Sequence, residues 1–260
     1  MKKNRKMRSK TYSKKIRLFV IVGIVLILGV IGYFVLRKPS TESGIQYIKE
    51  QEEAKVDKVA QKVHDQRMIE LKDAVNSGKL DAFSMFDDFV FFGDSRTMGF
   101  YTYGFLPTSR IFAGSGNTIL NITDWLDKLK TLMPSTIYFS YGVNDMGLGL
   151  NHTDEGGYGK LYEDRVKQVQ EICPDAEIFL LSIIPATPAA TEKSPAWKEY
   201  KEYNAEIKKI CKKNGWHYVD CTTLAKNGSA DIYQADGIHF YSTFYKEWAT
   251  EIIEATQEVE

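Results

Sequence analysis

From about residue 81 to the C-terminus, short apolar runs alternate with longer amphipathic segments. The runs at 88–92 (DFVFF), 110–113 (RIFA), 136–141 (TIYFSY), 177–183 (EIFLLSI) and 216–219 (WHYV) are rich in Phe, Ile, Val and Tyr. They do not alternate strictly between apolar and polar positions, which is how strands buried on both faces read. The segments between them predict helices near 118–130, 159–173, 195–213 and 241–257. Strand alternating with helix predicts an α/β domain over 81–260, a parallel sheet wrapped by helices. In such sheets functional groups gather at the carboxyl ends of the strands.

Two different patterns precede this domain. Leu18 to Leu36 is an apolar run of 19 residues without a charge. As a helix at about 1.5 Å per residue it reaches roughly 28 Å, close to the ~30 Å hydrocarbon core of a bilayer. Nine basic residues precede the run, and Arg37 and Lys38 follow it. A cleaved signal peptide has an apolar stretch of ~7–15 residues ending in small residues. This run is longer and exits into Arg37-Lys38-Pro39, so it reads as an uncleaved transmembrane helix over 18–36. The heavier positive flank, residues 1–17, stays in the cytoplasm, which places the domain on the outer side of the cell membrane. Residues 39–80 open on the turn-like Pro-Ser-Thr-Glu-Ser-Gly and continue as a charged segment. Its thin apolar stripe (Ile45, Ile48, Val56, Val59, Val63) predicts a helical stalk. The stripe is too broken to favour a coiled coil.

Charge sharpens the division. The chain has 34 basic and 34 acidic residues, but eleven of the basic ones lie within 1–38, where there is no acid. Residues 39–260 are left with 23 basic and 34 acidic groups, a net of −11. Nucleic acid is a poor partner for so acidic a body, because phosphate binding needs clustered positive charge. The three cysteines, Cys173, Cys211 and Cys221, include no CxxC pair and none at metal-site spacing from a histidine. A Cys211–Cys221 disulfide and three buried thiols are equally consistent with the sequence.

Polar and small residues follow the expected strand ends: Gly93-Asp94-Ser95, Gly114-Ser115-Gly116-Asn117-Thr118, Gly142-Val143-Asn144-Asp145 and Asp236-Gly237-Ile238-His239. A serine needs a base within hydrogen-bond reach to act as a nucleophile, and the base needs an orienting group. Of His64, His152, His217 and His239, only His239 has a carboxylate three residues before it. Asp236 can hold one ring nitrogen while the other faces the serine. Ser95 at a helix start has backbone N–H groups and a positive dipole end nearby. Gly116 by its backbone N–H and Asn144 by its side-chain amide could complete an oxyanion hole with Ser95. Singly, each element also has an ordinary structural reading as a cap or a turn.

Taken in order, the four blocks resemble the SGNH (GDSL-type) hydrolases over residues 86–256. The GDS block matches Gly93-Asp94-Ser95, the GxND block Gly142-Val143-Asn144-Asp145, and the DxxH block Asp236-Gly237-Ile238-His239 with a following helix that carries Tyr245. In the glycine block Gly116 is the chosen residue and Gly114 the fallback. Arg96 stands where a leucine usually follows the GDS, beside the site either to meet an acidic substrate or to form a salt bridge. The resemblance implies a flavodoxin-like three-layer sandwich of about five parallel strands and no metal or organic cofactor. It also implies a serine esterase with Ser95, His239 and Asp236 as catalytic residues and Ser95, Gly116 and Asn144 as oxyanion donors.

An anchored, outward-facing esterase meets cell-wall or surface glycans first, so removal of O-acyl, chiefly acetyl, groups from such a glycan is the leading expectation. The same triad would serve an O-acetyltransferase, and a non-catalytic surface binding protein is the alternative from another class. The loops 146–159 and 184–195 are expected to shape the pocket, and Tyr101, Tyr103, Tyr141 and Tyr158 are candidates for stacking on sugar rings.

Overall fold

The computed structural model describes residues 3–36, 42–154, 156–225 and 232–257. Arg37, Lys38, the first residues of the stalk and the sequon at Asn227 lie outside them. The chain divides into two compact units, Met1–Val63 and His64–Glu260.

The first unit holds helix α1 (Lys3–Leu36) and most of α2 (Glu42–Asn76). The expected membrane segment lies on α1, whose described apolar side chains are exposed, Phe19 at 77% and Leu26 at 65%. Among the described residues no helix is long and apolar enough to cross a membrane. Side chains within the run are described only at 19–33, about 22 Å of helix, short of a ~30 Å core. The stalk expected at 39–80 is helical through α2. Its stripe residues Ile45, Ile48, Val56, Val59 and Val63 are all exposed.

The second unit begins within the last turns of α2. Leu71 packs on the core, Val75 is 1% exposed, and Lys72 pairs with Glu254 at 2.8 Å. The chain then continues through β1 (Phe89–Gly93), α3 (Ser95–Thr102), β2 (Ile111–Ala113), α4 (Leu126–Leu132), β3 (Thr136–Ser140) and α5 (Val143–Gly147). It ends through α6 (Gly157–Ile172), β4 (Glu177–Leu181), α7 (Pro188–Lys193), α8 (Tyr200–Asn214), β5 (His217–Val219) and α9 (Phe244–Gln257). The five strands are parallel in the order β2-β1-β3-β4-β5. That is a flavodoxin-like order, with its switch point between β1 and β3.

The apolar strand runs follow from burial on both faces. Phe89, Phe91, Tyr138, Phe179 and Leu181 pack with Phe100 of α3 and Phe244, Trp248 and Ile252 of α9. Val90, Phe92, Ile137, Phe139, Ile178 and Leu180 pack with Tyr162, Val166 and Val169 of α6 and Tyr203 and Ile207 of α8. Each such side chain contributes ~1.5–3 kcal/mol by leaving water. Helices thus cover both faces, giving three layers.

Packing corrects one sequence reading and places the cysteines and His217. Tyr141 and Tyr158 are 2% and 0% exposed, so both belong to the core and neither is free to meet a sugar. The cysteines are free and buried rather than bridged, and burial pushes the Cys211 thiol up to about 12. His217 opens β5 and pairs with Glu177 at 2.7 Å, at the amino ends of the strands and away from the polar blocks.

Candidate active site

Gly93 ends β1 in register with Ala113 of β2 and Ser140 of β3, so three loops leave the sheet at one level. A Cβ on Gly93 would lie 2.0 Å from Thr97 Oγ1 and 2.8 Å from the Ser140 carbonyl oxygen. Only glycine lets the chain turn there directly into α3. Asp94 caps that helix, its Oδ1 accepting from the Arg96 N–H at 2.8 Å. Asp94 is 2% exposed, and burial pushes its carboxyl up against the opposing pull of the Arg96 charge. Ser95 becomes the first residue of α3, half-buried, with the helix N-terminus around it.

The Asp236–His239 turn faces it from across 144 residues of sequence. Asp236 Oδ1 accepts from the N–H groups of Ile238 (2.8 Å) and His239 (3.0 Å). Its Oδ2 lies 2.6 Å from His239 Nδ1. With the carboxylate accepting from Nδ1–H, Nε2 is left as an acceptor, 2.8 Å from Ser95 Oγ. Burial disfavours ionisation of Asp236. The His239 ring and the two backbone N–H groups outweigh it and hold the carboxyl below its ordinary value.

Asn144 lies in the first turn of α5, directly after β3. The turn into that helix needs Gly142, whose φ is +142° and where a Cβ would lie 2.2 Å from Ile183 Cδ1. The Asn144 amide donates one N–H to the Asn117 carbonyl at 2.9 Å, which leaves its second N–H to point elsewhere. Gly116 sits in the exposed turn closed by the Asn117 N–H on the Gly114 carbonyl at 3.2 Å, with a φ of +76°. Ser95, His239 and Asp236 are therefore joined directly. Asn144 is joined to the glycine loop, and Gly116 is tied to the rest only through its neighbour Asn117.

Two residues in or next to the motifs matter more than their sequence context suggested. Asp145 is fully buried and accepts from the Ile119 N–H at 2.9 Å, a second bond between the loops after β3 and β2. Its sequence signal was its place as the last residue of the Gly142-Val143-Asn144-Asp145 block. Arg96 faces inward, 4% exposed; its Nε–H and an Nη1–H meet backbone carbonyls, while its buried Nη2 has no partner among the described residues. Its guanidinium is therefore withdrawn from solvent.

Of the two loops expected to shape a pocket, 184–188 borders the triad turn, since the Thr187 N–H donates to the Gly237 carbonyl at 2.9 Å. Its other side lines an open cleft of about 780 Å³ with Lys198, Tyr200, Lys201 and Tyr233, into which no triad residue opens. In the 146–159 loop, His152 is exposed and pairs with Glu199 at 2.8 Å. Among the described residues no group of three His, Cys, Asp or Glu could hold a metal ion.

A hydroxyl backed by an imidazole, a carboxylate holding that imidazole, and helix N-terminal amides beside the hydroxyl form a constellation for acyl transfer. Comparison with known proteins points the same way. The chain is similar in structure to a lipase/acylhydrolase from Enterococcus faecalis, with 16% identity, a TM-score of 0.53, and coverage of 66% of this chain and 95% of that one. It is likewise similar to a family 3 carbohydrate esterase from Clostridium thermocellum (20%, 0.51, 66% and 95%). A third is a GDSL-like lipase from Bacteroides thetaiotaomicron (18%, 0.50, 74% and 100%). No curated protein matches the chain. The GDSL-like Lipase/Acylhydrolase family matches residues 91–246, more than half of the sequence and all four polar blocks, and the chain belongs to that family.

Proposed function

We propose that this protein is an outward-facing serine ester hydrolase that removes O-acyl groups, acetyl foremost, from a cell-wall or surface glycan. Ser95 is the nucleophile, His239 the general base and Asp236 the group that orients it. The observation that carries the reading is the chain from Ser95 Oγ through His239 to Asp236, at 2.8 and 2.6 Å.

Ser95 Oγ bonds to the ester carbonyl carbon as its proton passes to His239 Nε2. The resulting oxyanion takes hydrogen bonds from the backbone N–H groups of Ser95 and Gly116 and from the Asn144 amide. The C–O bond to the sugar then breaks, and His239 returns the proton to the departing oxygen. Water, activated by the same imidazole, attacks the acyl-serine and releases the carboxylic acid.

The uncharged run Leu18–Leu36 and the nine basic residues ahead of it support a single-pass anchor with residues 1–17 in the cytoplasm. So does the exposure of the apolar side chains on α1, a surface better solvated by lipid than by water. An enzyme held there meets envelope glycans first. That carbohydrate esterases share its fold supports a glycan ester as substrate.

The test is hydrolysis of p-nitrophenyl acetate by the full chain in detergent, beside Ser95→Ala and His239→Ala. Each substitution is expected to cost at least ~10³-fold. A folded wild type as idle as both variants sinks the esterase reading. Acetate release from O-acetylated envelope glycans then tests the substrate. Protease added to intact cells should remove the domain, and full protection would reverse the topology.

A further inference from the structure

One side chain joins the residue after the proposed nucleophile to the residue before the proposed base. The Nε–H of Arg96 donates to the Ile238 carbonyl at 2.9 Å, and an Nη1–H donates to the Ile184 carbonyl at 2.5 Å. The guanidinium lies over the Phe240 ring, 4.8 Å from its centroid. The backbone of the same residue is held too, since the Arg96 carbonyl accepts from the Tyr245 hydroxyl at 2.7 Å. Gly99 makes that contact feasible, because a Cβ there would lie 1.8 Å from the hydroxyl.

The base needs such a hold. Asp236 and His239 sit in a turn outside the sheet, their side chains 43% and 38% exposed. Other bonds at the turn include the Gln234 N–H to the His239 carbonyl at 2.7 Å and the Thr187 N–H to the Gly237 carbonyl at 2.9 Å, and the Tyr103 hydroxyl and the Gln234 amide hold the next carbonyl, that of Phe240, at 3.1 and 3.0 Å. Burying a guanidinium costs desolvation that an apolar side chain avoids, offset here by the two carbonyls and by the charge of the buried Asp94 carboxylate. Filling space alone does not account for an arginine at this position.

We infer that Arg96 is a positioning residue for the reaction, holding the Ile238 carbonyl, and through it the His239 ring, at hydrogen-bond distance from Ser95. The inference rests on the assignment of Ser95 and His239 as nucleophile and base. Its service is geometric: the bonded atom is the carbonyl oxygen next to His239 in the chain, and a shift of about 1 Å in a catalytic group costs ~10²-fold in rate.

The test uses the full chain with Arg96→Met, Arg96→Lys, and Arg96→Met combined with His239→Ala. Arg96→Met should lower kcat about 10- to 100-fold, with KM within about twofold of wild type. Arg96→Lys should recover part of the loss, because a single ammonium reaches one carbonyl where the guanidinium fork spans two. In the His239→Ala background Arg96→Met should cost nothing further, since there is no ring left to place. The far-downfield proton resonance of His239 Nδ1–H, bonded to Asp236, should be sharp in the wild type and broadened in Arg96→Met. Wild-type kcat in Arg96→Met overturns the inference. So does an equal loss in the His239→Ala background, which is what a smaller folded fraction alone produces. Should the Met variant not fold, the split between kcat and KM and the resonance in Arg96→Lys decide the matter in the same way. A wild type without esterase activity counts against the esterase reading; the positioning role is then decided by the resonance, and an unchanged signal in the Arg96 variants overturns it.

Discussion

The side-chain amide of Asn144 donates to the backbone carbonyl of Asn117 at 2.9 Å, so the loop after β3 fixes the loop after β2 beside the nucleophile. One N–H of the amide is spent on this bond, and the other is oriented by it. Asn144→Ala therefore removes both the proposed oxyanion donor and the tie to the loop that carries Gly116. The expected result is a fall of ~10²–10³ in kcat with little change in KM. Steady-state kinetics on a soluble acetyl ester would check it. A loss confined to KM would move Asn144 from the oxyanion hole to substrate binding.

Asp236 accepts three hydrogen bonds, two of them from backbone N–H groups of its own turn and one from the His239 ring. Asp236→Asn keeps the shape but offers the ring an amide, so His239 no longer holds its proton on Nδ1. Activity should fall ~10⁴-fold, with the fold and melting point largely kept. Because the Asp236 carboxyl is held below its ordinary value, it stays ionised through mildly acid pH. Retention of more than about a tenth of the activity in Asp236→Asn would contradict this role.

Burial pushes the Asp145 carboxyl up to about 7, only partly opposed by the Ile119 N–H. The native state thus binds the proton more tightly than the unfolded chain, where the group titrates near ~3.9. Stability from this group is fully present below that value, falls as pH rises through about 7, and is level above. Asp145→Asn keeps an acceptor for Ile119 and removes the titration. Chemical denaturation at several pH values between about 4 and 8 should give the wild type a steeper loss with pH than the variant. Parallel curves would remove Asp145 from the pH response.

Glu163 shows the opposite sign. Its side chain is 4% exposed and meets Lys167 at 2.6 Å and Lys213 at 2.8 Å, which pull its carboxyl down to about 2. Its contribution is present above the unfolded value of ~4.3 and is lost as pH falls through about 2. Glu163→Gln should cost about 1–2 kcal/mol near neutrality, the two lysines being half-exposed and screened. Urea melts at neutral and strongly acid pH should show that gap closing with acid; a gap that persists would assign the stabilisation to packing.

What the sequence determines here is local. Strand runs such as FVFF and IFLL are apolar throughout because both faces are buried, and that shows along the chain without any knowledge of partners. Asp236 and His239 are three residues apart, so one turn presents both. Ser95 after a glycine and an aspartate is a helix start by composition alone. Tertiary structure decided whatever depends on which surface meets which. Tyr141 and Tyr158 could equally have lined a pocket, and packing against the sheet put them in the core. Leu71 and Val75 continue the pattern of an exposed stalk helix, yet the last turns of α2 settle on the domain. Arg96 was the least legible of all. Its partners are the carbonyls of Ile184 and Ile238, and a backbone carbonyl has the same chemistry whatever residue carries it, so only the folded chain discloses which of them a buried guanidinium will find.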